Sequence, residues 1–126
     1  MPTQIRVNRI AERIHEELSE LLLFQIKDPR VAGANVTDVE VDRELAYADI
    51  YVSALEGESR AEEILAGLRS AAGFIRSHLS KTIKLRTFPE VRFHWDPTPE
   101  RADRIDQLLN SLRSETDEEE ADEEAA

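Results

Sequence analysis

The segment Ile64-Leu65-Ala66-Gly67-Leu68-Arg69-Ser70-Ala71-Ala72-Gly73-Phe74-Ile75-Arg76-Ser77-His78-Leu79-Ser80-Lys81-Thr82-Ile83 carries apolar residues at helical spacing from end to end. Gly67 and Gly73 interrupt the pattern, and each glycine weakens a helix by about 1 kcal/mol relative to alanine. So long a stretch with two weak points reads better as two helices with a break near Ser70 to Gly73 than as one rod. Ser59-Arg60-Ala61-Glu62 has the form of a capping box and marks the start of the first helix, after a loop at Glu56-Gly57-Glu58.

Upstream, Val36-Thr37-Asp38-Val39-Glu40-Val41 and Ala46-Tyr47-Ala48-Asp49-Ile50-Tyr51-Val52 alternate and are joined by the polar Asp42-Arg43-Glu44. A β-hairpin is expected there, with Val39, Val41, Ala48, Ile50 and Val52 facing inward. Before it, Val7, Ile10, Ile14, Leu18, Leu21 and Leu22 form the stripe of an amphipathic helix from Ile5 to about Lys27, which Asp28-Pro29 stops. Downstream, Glu90 to Trp95 reads as a strand with Val91, Phe93 and Trp95 on one face. Glu100 to Leu112 reads as a final helix carrying Ala102, Ile105, Leu108, Leu109 and Leu112. The order α-β-β-α-α-β, followed by a C-terminal helix, describes an α+β domain with helices packed on one face of a three-stranded sheet. The domain is expected over residues 1–112. Residues 113–126 are too acidic to bury apolar surface and are expected to form a disordered tail.

With 126 residues the chain is one domain's worth of polymer, which excludes a cleft between two catalytic lobes. It has no cysteine, which removes thiol chemistry and disulfides and fits a reducing compartment. No apolar run approaches the roughly 20 residues of a membrane span, and the start lacks a signal-peptide core, so a cytoplasmic protein is expected. The three histidines lie on separate elements, which speaks against a metal centre. Neither a Gly-x-Ser-x-Gly elbow nor a glycine-rich phosphate loop occurs. These readings point away from an enzyme and from any cofactor.

The net charge of −11 is unevenly distributed. Ser114 to Ala126 holds eight acids and no base, which leaves the rest of the chain at −3. Within that remainder, Val31 to Leu68 is −7, whereas Arg69 to His94 has six bases against Glu90 alone, net +5. On a helical wheel from Gly73 to Leu85, Ala72, Ile75, Leu79, Thr82 and Ile83 fill an apolar arc, and Arg76, Ser77, Ser80, Lys81 and Lys84 fill a basic, hydroxyl-bearing arc, with Arg86 following. No acid occurs between Arg69 and Thr87 to balance these bases. Lysine and arginine neutralise phosphates and serine hydroxyls donate to them, so a site that tracks an RNA backbone follows. Arg6 and Arg9 in the first turn of the first helix oppose its dipole, which points to some other use for them. Arg13 is expected to pair with Glu17 instead. Trp95 could stack on a base, but its alternation with Val91 and Phe93 places it in the core.

Four motifs in this order are specific. Asp28-Pro29-Arg30-Val31, Leu45-Ala46-Tyr47-Ala48-Asp49-Ile50-Tyr51-Val52-Ser53, Leu68-Arg69-Ser70-Ala71-Ala72-Gly73-Phe74-Ile75-Arg76 and Leu85-Arg86-Thr87-Phe88-Pro89-Glu90-Val91-Arg92-Phe93 together resemble bacterial ribosome-binding factor A, over roughly Ile5 to Leu112. The resemblance implies a type II KH-like fold in which an Ala-x-Gly kink, here Ala71-Ala72-Gly73, replaces the usual Gly-x-x-Gly loop. It also implies a non-catalytic assembly factor that binds the immature small (30S) ribosomal subunit and its 16S rRNA. Such a factor assists late maturation and rRNA processing, matters most in the cold, and runs with free small subunits rather than assembled ribosomes. The expected RNA-binding residues are Arg6, Arg9, Arg69, Arg76, Ser80, Lys81, Lys84 and Arg86. A monomer is expected, with assembly GTPases as further partners and no membrane contact. The alternative is a protein-docking module that grips a ribosomal protein or an assembly GTPase through the acidic hairpin residues Asp38, Glu40, Asp42, Glu44 and Asp49. The turn Asp96-Pro97-Thr98-Pro99-Glu100 departs from the family pattern in its two prolines.

Overall fold

The computed structural model describes residues 3–125, with the side chains of residue 100 and residues 117–125 excepted. Met1, Pro2 and Ala126, which the expected domain and tail include, lie outside the described residues. The chain divides into two compact units between Asp96 and Pro97.

In the first unit, α1 spans Gln4–Phe24, and Thr3 caps it by accepting the Arg6 N–H on its hydroxyl at 3.2 Å. Its stripe of Val7, Ile10, Ile14, Leu18 and Leu21 is buried, each aliphatic side chain contributing about 1.5–3 kcal/mol. The helix stops three residues short of Lys27, because the Ile26 N–H returns to the Leu21 carbonyl at 3.1 Å and folds Ile26 back against the core. A single 3-10 turn, Pro29–Val31, follows, with the Asp28 carboxylate accepting the Arg30 N–H at 2.9 Å.

The hairpin strands are β1, Ala34–Val41, and β2, Tyr47–Ala54, antiparallel and each longer than their alternation suggested. A bulge at Thr37 lets Val36 and Val39 both face inward although they are three positions apart. Val41 is only half-buried, while Ala48, Ile50 and Val52 are fully buried, as expected. The turn is held by Asp42, whose carboxylate accepts the Ala46 and Tyr47 N–H groups, both at 2.8 Å.

Helix α2 spans Ala61–Ser70 and α3 spans Ala72–Thr82, so the glycine-weakened segment does form two helices. The expected capping box does not form. Glu58–Arg60 is a 3-10 turn, and Ser59 donates its hydroxyl to the Glu56 carbonyl at 3.5 Å instead of receiving an N–H of α2. β3, Glu90–Trp95, lies parallel to β2 in the order β1-β2-β3, with the helices on one face. Phe93 enters the core. Trp95 packs against it half-buried, with its indole N–H buried and unpartnered among the described residues.

The second unit is α4, Thr98–Ala125, with Pro99 in its first turn, where proline is tolerated. The helix therefore continues through the segment expected to be disordered. Its apolar stripe ends at Leu112, but neither proline nor glycine follows, and Glu and Ala are strong helix formers that need no burial to favour the state locally.

Candidate nucleic-acid interface

α2 and α3 share Ala71, at φ −90° and ψ 0°, as a one-residue junction. Its N–H reaches the Gly67 and Leu68 carbonyls at 3.1 Å, and its carbonyl accepts the Ile75 N–H at 2.9 Å, so both backbone groups of the junction residue are paired. The two glycines differ in what surrounds them. A Cβ on Gly67 would lie 2.7 Å from the Val31 Cγ1 and 3.0 Å from the Arg30 Cβ, so the Pro29–Val31 turn seats directly on α2. A Cβ on Gly73 would meet nothing within 4 Å. The close packing that small residues allow is thus at Gly67, and Gly73 faces open space.

That space is a groove of 480 Å³ lined by Gly73, Arg76, Ser77 and Ser80 on α3 and by Leu85, Arg86, Thr87 and Phe88 on the segment leading into β3. The wheel reading carried the helix to Leu85, but α3 ends at Thr82. Ile83 takes an extended conformation and buries its side chain, which redirects the chain and puts Lys84 and Arg86 on the loop. Arg76 joins the two walls, donating from Nη2 to the Phe88 carbonyl at 2.9 Å and from Nε to the Pro89 carbonyl at 3.4 Å. A guanidinium has five N–H donors, so three remain for a ligand. The Ser80 hydroxyl donates within the helix, to the Ser77 carbonyl at 2.9 Å. A second depression, of 350 Å³, lies beside β3 and is lined by Arg69, Ala72, Val91, Arg92, Phe93 and His94. Arg69 donates to the Phe93 carbonyl there at 3.4 Å.

The expected residues therefore separate into groups. Arg76, Ser80 and Arg86 line the groove, together with Gly73 of the kink. Arg69 and Ala72 line the neighbouring depression, and Ala71 is the junction itself. Lys81 and Lys84 are exposed without lining either space, and Arg6 and Arg9 are exposed on the first turns of α1, outside both. Among the described residues none of these cations has a salt-bridge partner, whereas Arg13 pairs with Glu17 at 3.6 Å as expected, Arg30 with Asp28, Arg60 with Glu56 and Glu63, and Arg92 with Asp49.

Sequence reasoning missed the groove's loop wall, Leu85, Thr87 and Phe88, and missed Arg92 and His94. The last two alternate with Val91, Phe93 and Trp95, which was the available signal for an outward-facing pair. They converge on Asp49: Arg92 binds it through two N–H groups at 2.8 and 2.9 Å, and the His94 Nε2 lies 2.7 Å from it. The Arg92 guanidinium, and after it His94, hold the Asp49 carboxyl below the usual carboxylate range. Arg92 also covers the Tyr47 ring at 4.0 Å. Of the acids in the protein-docking alternative, Asp49 is engaged by these partners, Asp42 by its own turn, and Asp38 by the Val39 N–H at 2.9 Å.

The family model described as ribosome-binding factor A matches residues 6–109. The chain belongs to this family. A ribosome-binding factor A from Alcanivorax borkumensis is 46% identical over 111 residues, covering 87% of this chain and 81% of that one. The solution structure of a Thermotoga maritima protein named as a candidate ribosome-binding factor A shares 32% identity at a TM-score of 0.64, covering 75% of this chain and 90% of the other. A Thermus thermophilus ribosome-binding factor A, fitted as a homology model into a cryo-EM map of its 30S complex, superposes at a TM-score of 0.55 with 23% identity. It covers 66% of this chain and 87% of its own. The fold is the α+β, KH-like fold of this family.

Proposed function

We propose that this protein is a non-catalytic, cytoplasmic assembly factor that binds the immature small ribosomal subunit through its 16S rRNA and assists late maturation and rRNA processing. Membership of the ribosome-binding factor A family supports subunit binding, and the Thermus thermophilus member is described in a 30S complex. The observation that carries the RNA contact is a groove whose cations have no acidic partner among the described residues, whereas Arg13, Arg30, Arg60 and Arg92 are each paired with a carboxylate. Arg76 and Arg86 face phosphate inside it, Lys81 and Lys84 flank it, and Arg69 extends it along β3. Gly73 leaves the backbone of α3 open to close approach. The internal engagement of Asp38, Asp42 and Asp49 favours this reading over docking through the hairpin.

The test is sedimentation with purified free small subunits and with assembled ribosomes, alongside affinity for isolated 16S rRNA across a salt series. The chain should run with free subunits only. Changing Lys81, Lys84 and Arg86 to Gln should leave folding intact and lower the salt slope for RNA by about 0.7–0.9 per residue replaced. Unchanged affinity and slope in the triple variant would refute the groove as the RNA site.

A further inference from the structure

α4 carries Ile105, Leu108, Leu109 and Leu112, spaced i, i+3, i+4 and i+7, and each leaves 47–62% of its surface exposed. The helix is a compact unit by itself, so no other element of that unit covers the stripe. Four aliphatic anchors at this spacing are the means by which an amphipathic helix enters an apolar groove on a partner. The charge of the same helix says what surrounds that groove. From Pro97 to Ala126 eleven acids stand against three arginines, a net charge of −8, and eight of the acids follow Ser114. Such a polyanion is repelled by RNA phosphate and by anionic lipid, and two copies of it would repel one another. A basic protein surface is the complement that remains.

We propose that α4 is a docking helix for a basic protein of the small subunit, its Ile105, Leu108, Leu109 and Leu112 entering an apolar groove and its acidic C-terminal half lying along a lysine- and arginine-rich rim. This rests on the reading that the chain binds that subunit. The chain would then hold the subunit at two chemically opposite points, a basic groove on RNA and an acidic helix on protein. An acidic helix would also bias against loose binding to arbitrary RNA, because it contributes nothing but repulsion unless its protein partner is present.

The experiment places a benzophenone photocrosslinking amino acid at Leu109 of the full-length chain and irradiates it on purified free small subunits. A crosslink to a ribosomal protein is expected. The charge-neutral double variant Leu108→Gln, Leu109→Gln should keep its circular dichroism and melting temperature while its subunit dissociation constant rises about tenfold or more, and its affinity for protein-free 16S rRNA should stay unchanged. Crosslinks to 16S rRNA, to residues 1–96 of the same chain or to a second copy would overturn the proposal, as would full subunit affinity in the double variant. A parent chain that fails to sediment with subunits overturns the subunit reading and this proposal with it, whereas a parent that sediments without a protein crosslink overturns this proposal alone.

Discussion

Adding one methyl group to each of the two helical glycines should move stability in opposite directions. At Gly73 the new Cβ meets nothing within 4 Å, so Gly73→Ala removes the glycine penalty in a helix and gains up to about 1 kcal/mol. At Gly67 it would sit 2.7 Å from the Val31 Cγ1, where carbon atoms prefer about 3.5–4.0 Å, so roughly 1 Å of movement is required. Val31 cannot supply it cheaply. Its β-branched side chain is stiff and buried, and the turn that carries it is fastened by Asp28 on the Arg30 N–H and by Arg60 on the Ala32 and Arg30 carbonyls. Overpacking costs about 1–3 kcal/mol, which offsets the propensity gain of up to about 1 kcal/mol and leaves Gly67→Ala up to about 2 kcal/mol below the parent. The assay is urea denaturation of both variants with matched thermal melts, in which 1 kcal/mol corresponds to about 4–8 °C for a domain of this size. Gly73→Ala should melt at or above the parent and Gly67→Ala several degrees below it. Equal stability of the two variants would refute the seating of the Pro29–Val31 turn on α2.

Two further outcomes are expected. Arg76→Lys keeps the charge but cannot reproduce the planar donors on the Phe88 and Pro89 carbonyls, so it should lose about 1 kcal/mol and speed amide exchange across residues 85–90, while Lys81→Gln changes neither; equal exchange in both variants would show that Arg76 does not hold the groove wall. Asp49 has its carboxyl lowered by Arg92 and then His94, so its charge stabilises the fold above the unfolded value of about 3.9 and ceases to as pH falls through the lowered folded value; Asp49→Asn should therefore cost up to about 1 kcal/mol at pH 7, with the gap from the parent closing in melts below about pH 4, and a gap independent of pH would refute the linkage.

Elements whose apolar period is unbroken were legible in the sequence. The α1 stripe, the inward residues of β2 and the bounds of β3 follow from residue spacing alone, and the two-helix reading of Ile64 to Ile83 follows from the cost of glycine in a helix. Where the sequence misled, tertiary context was responsible. The spacing of Val36 and Val39 breaks a two-residue alternation, and only pairing with β2 shows that a bulge at Thr37 restores both to the core. Ser59 sits in a capping pattern, but the 3-10 turn Glu58–Arg60 takes it up and its hydroxyl bonds the Glu56 carbonyl instead. Beyond Leu112 the apolar stripe stops but the helix does not, because burial and local helix propensity are separate quantities and only the first was exhausted.

The candidate site was legible as a charge imbalance and not as a shape. Counting showed that Arg69 to His94 is basic, but a count treats Arg76, Lys81 and Arg92 alike, and the folded chain does not. Arg92 is neutralised across the sheet by Asp49, a residue 43 positions away that sequence proximity gives no reason to choose. Arg76 spends two donors on the loop it faces, which makes it a strut of the groove as well as a charge within it. Lys81 and Lys84 have neither kind of partner among the described residues, so their cost of desolvation falls only on ligand binding and not on folding. That distinction predicts which substitutions affect RNA affinity alone: those at Lys81 and Lys84 should, and those at Arg76 should not, because the loss of its carbonyl contacts would also move the wall carrying Arg86 and Thr87.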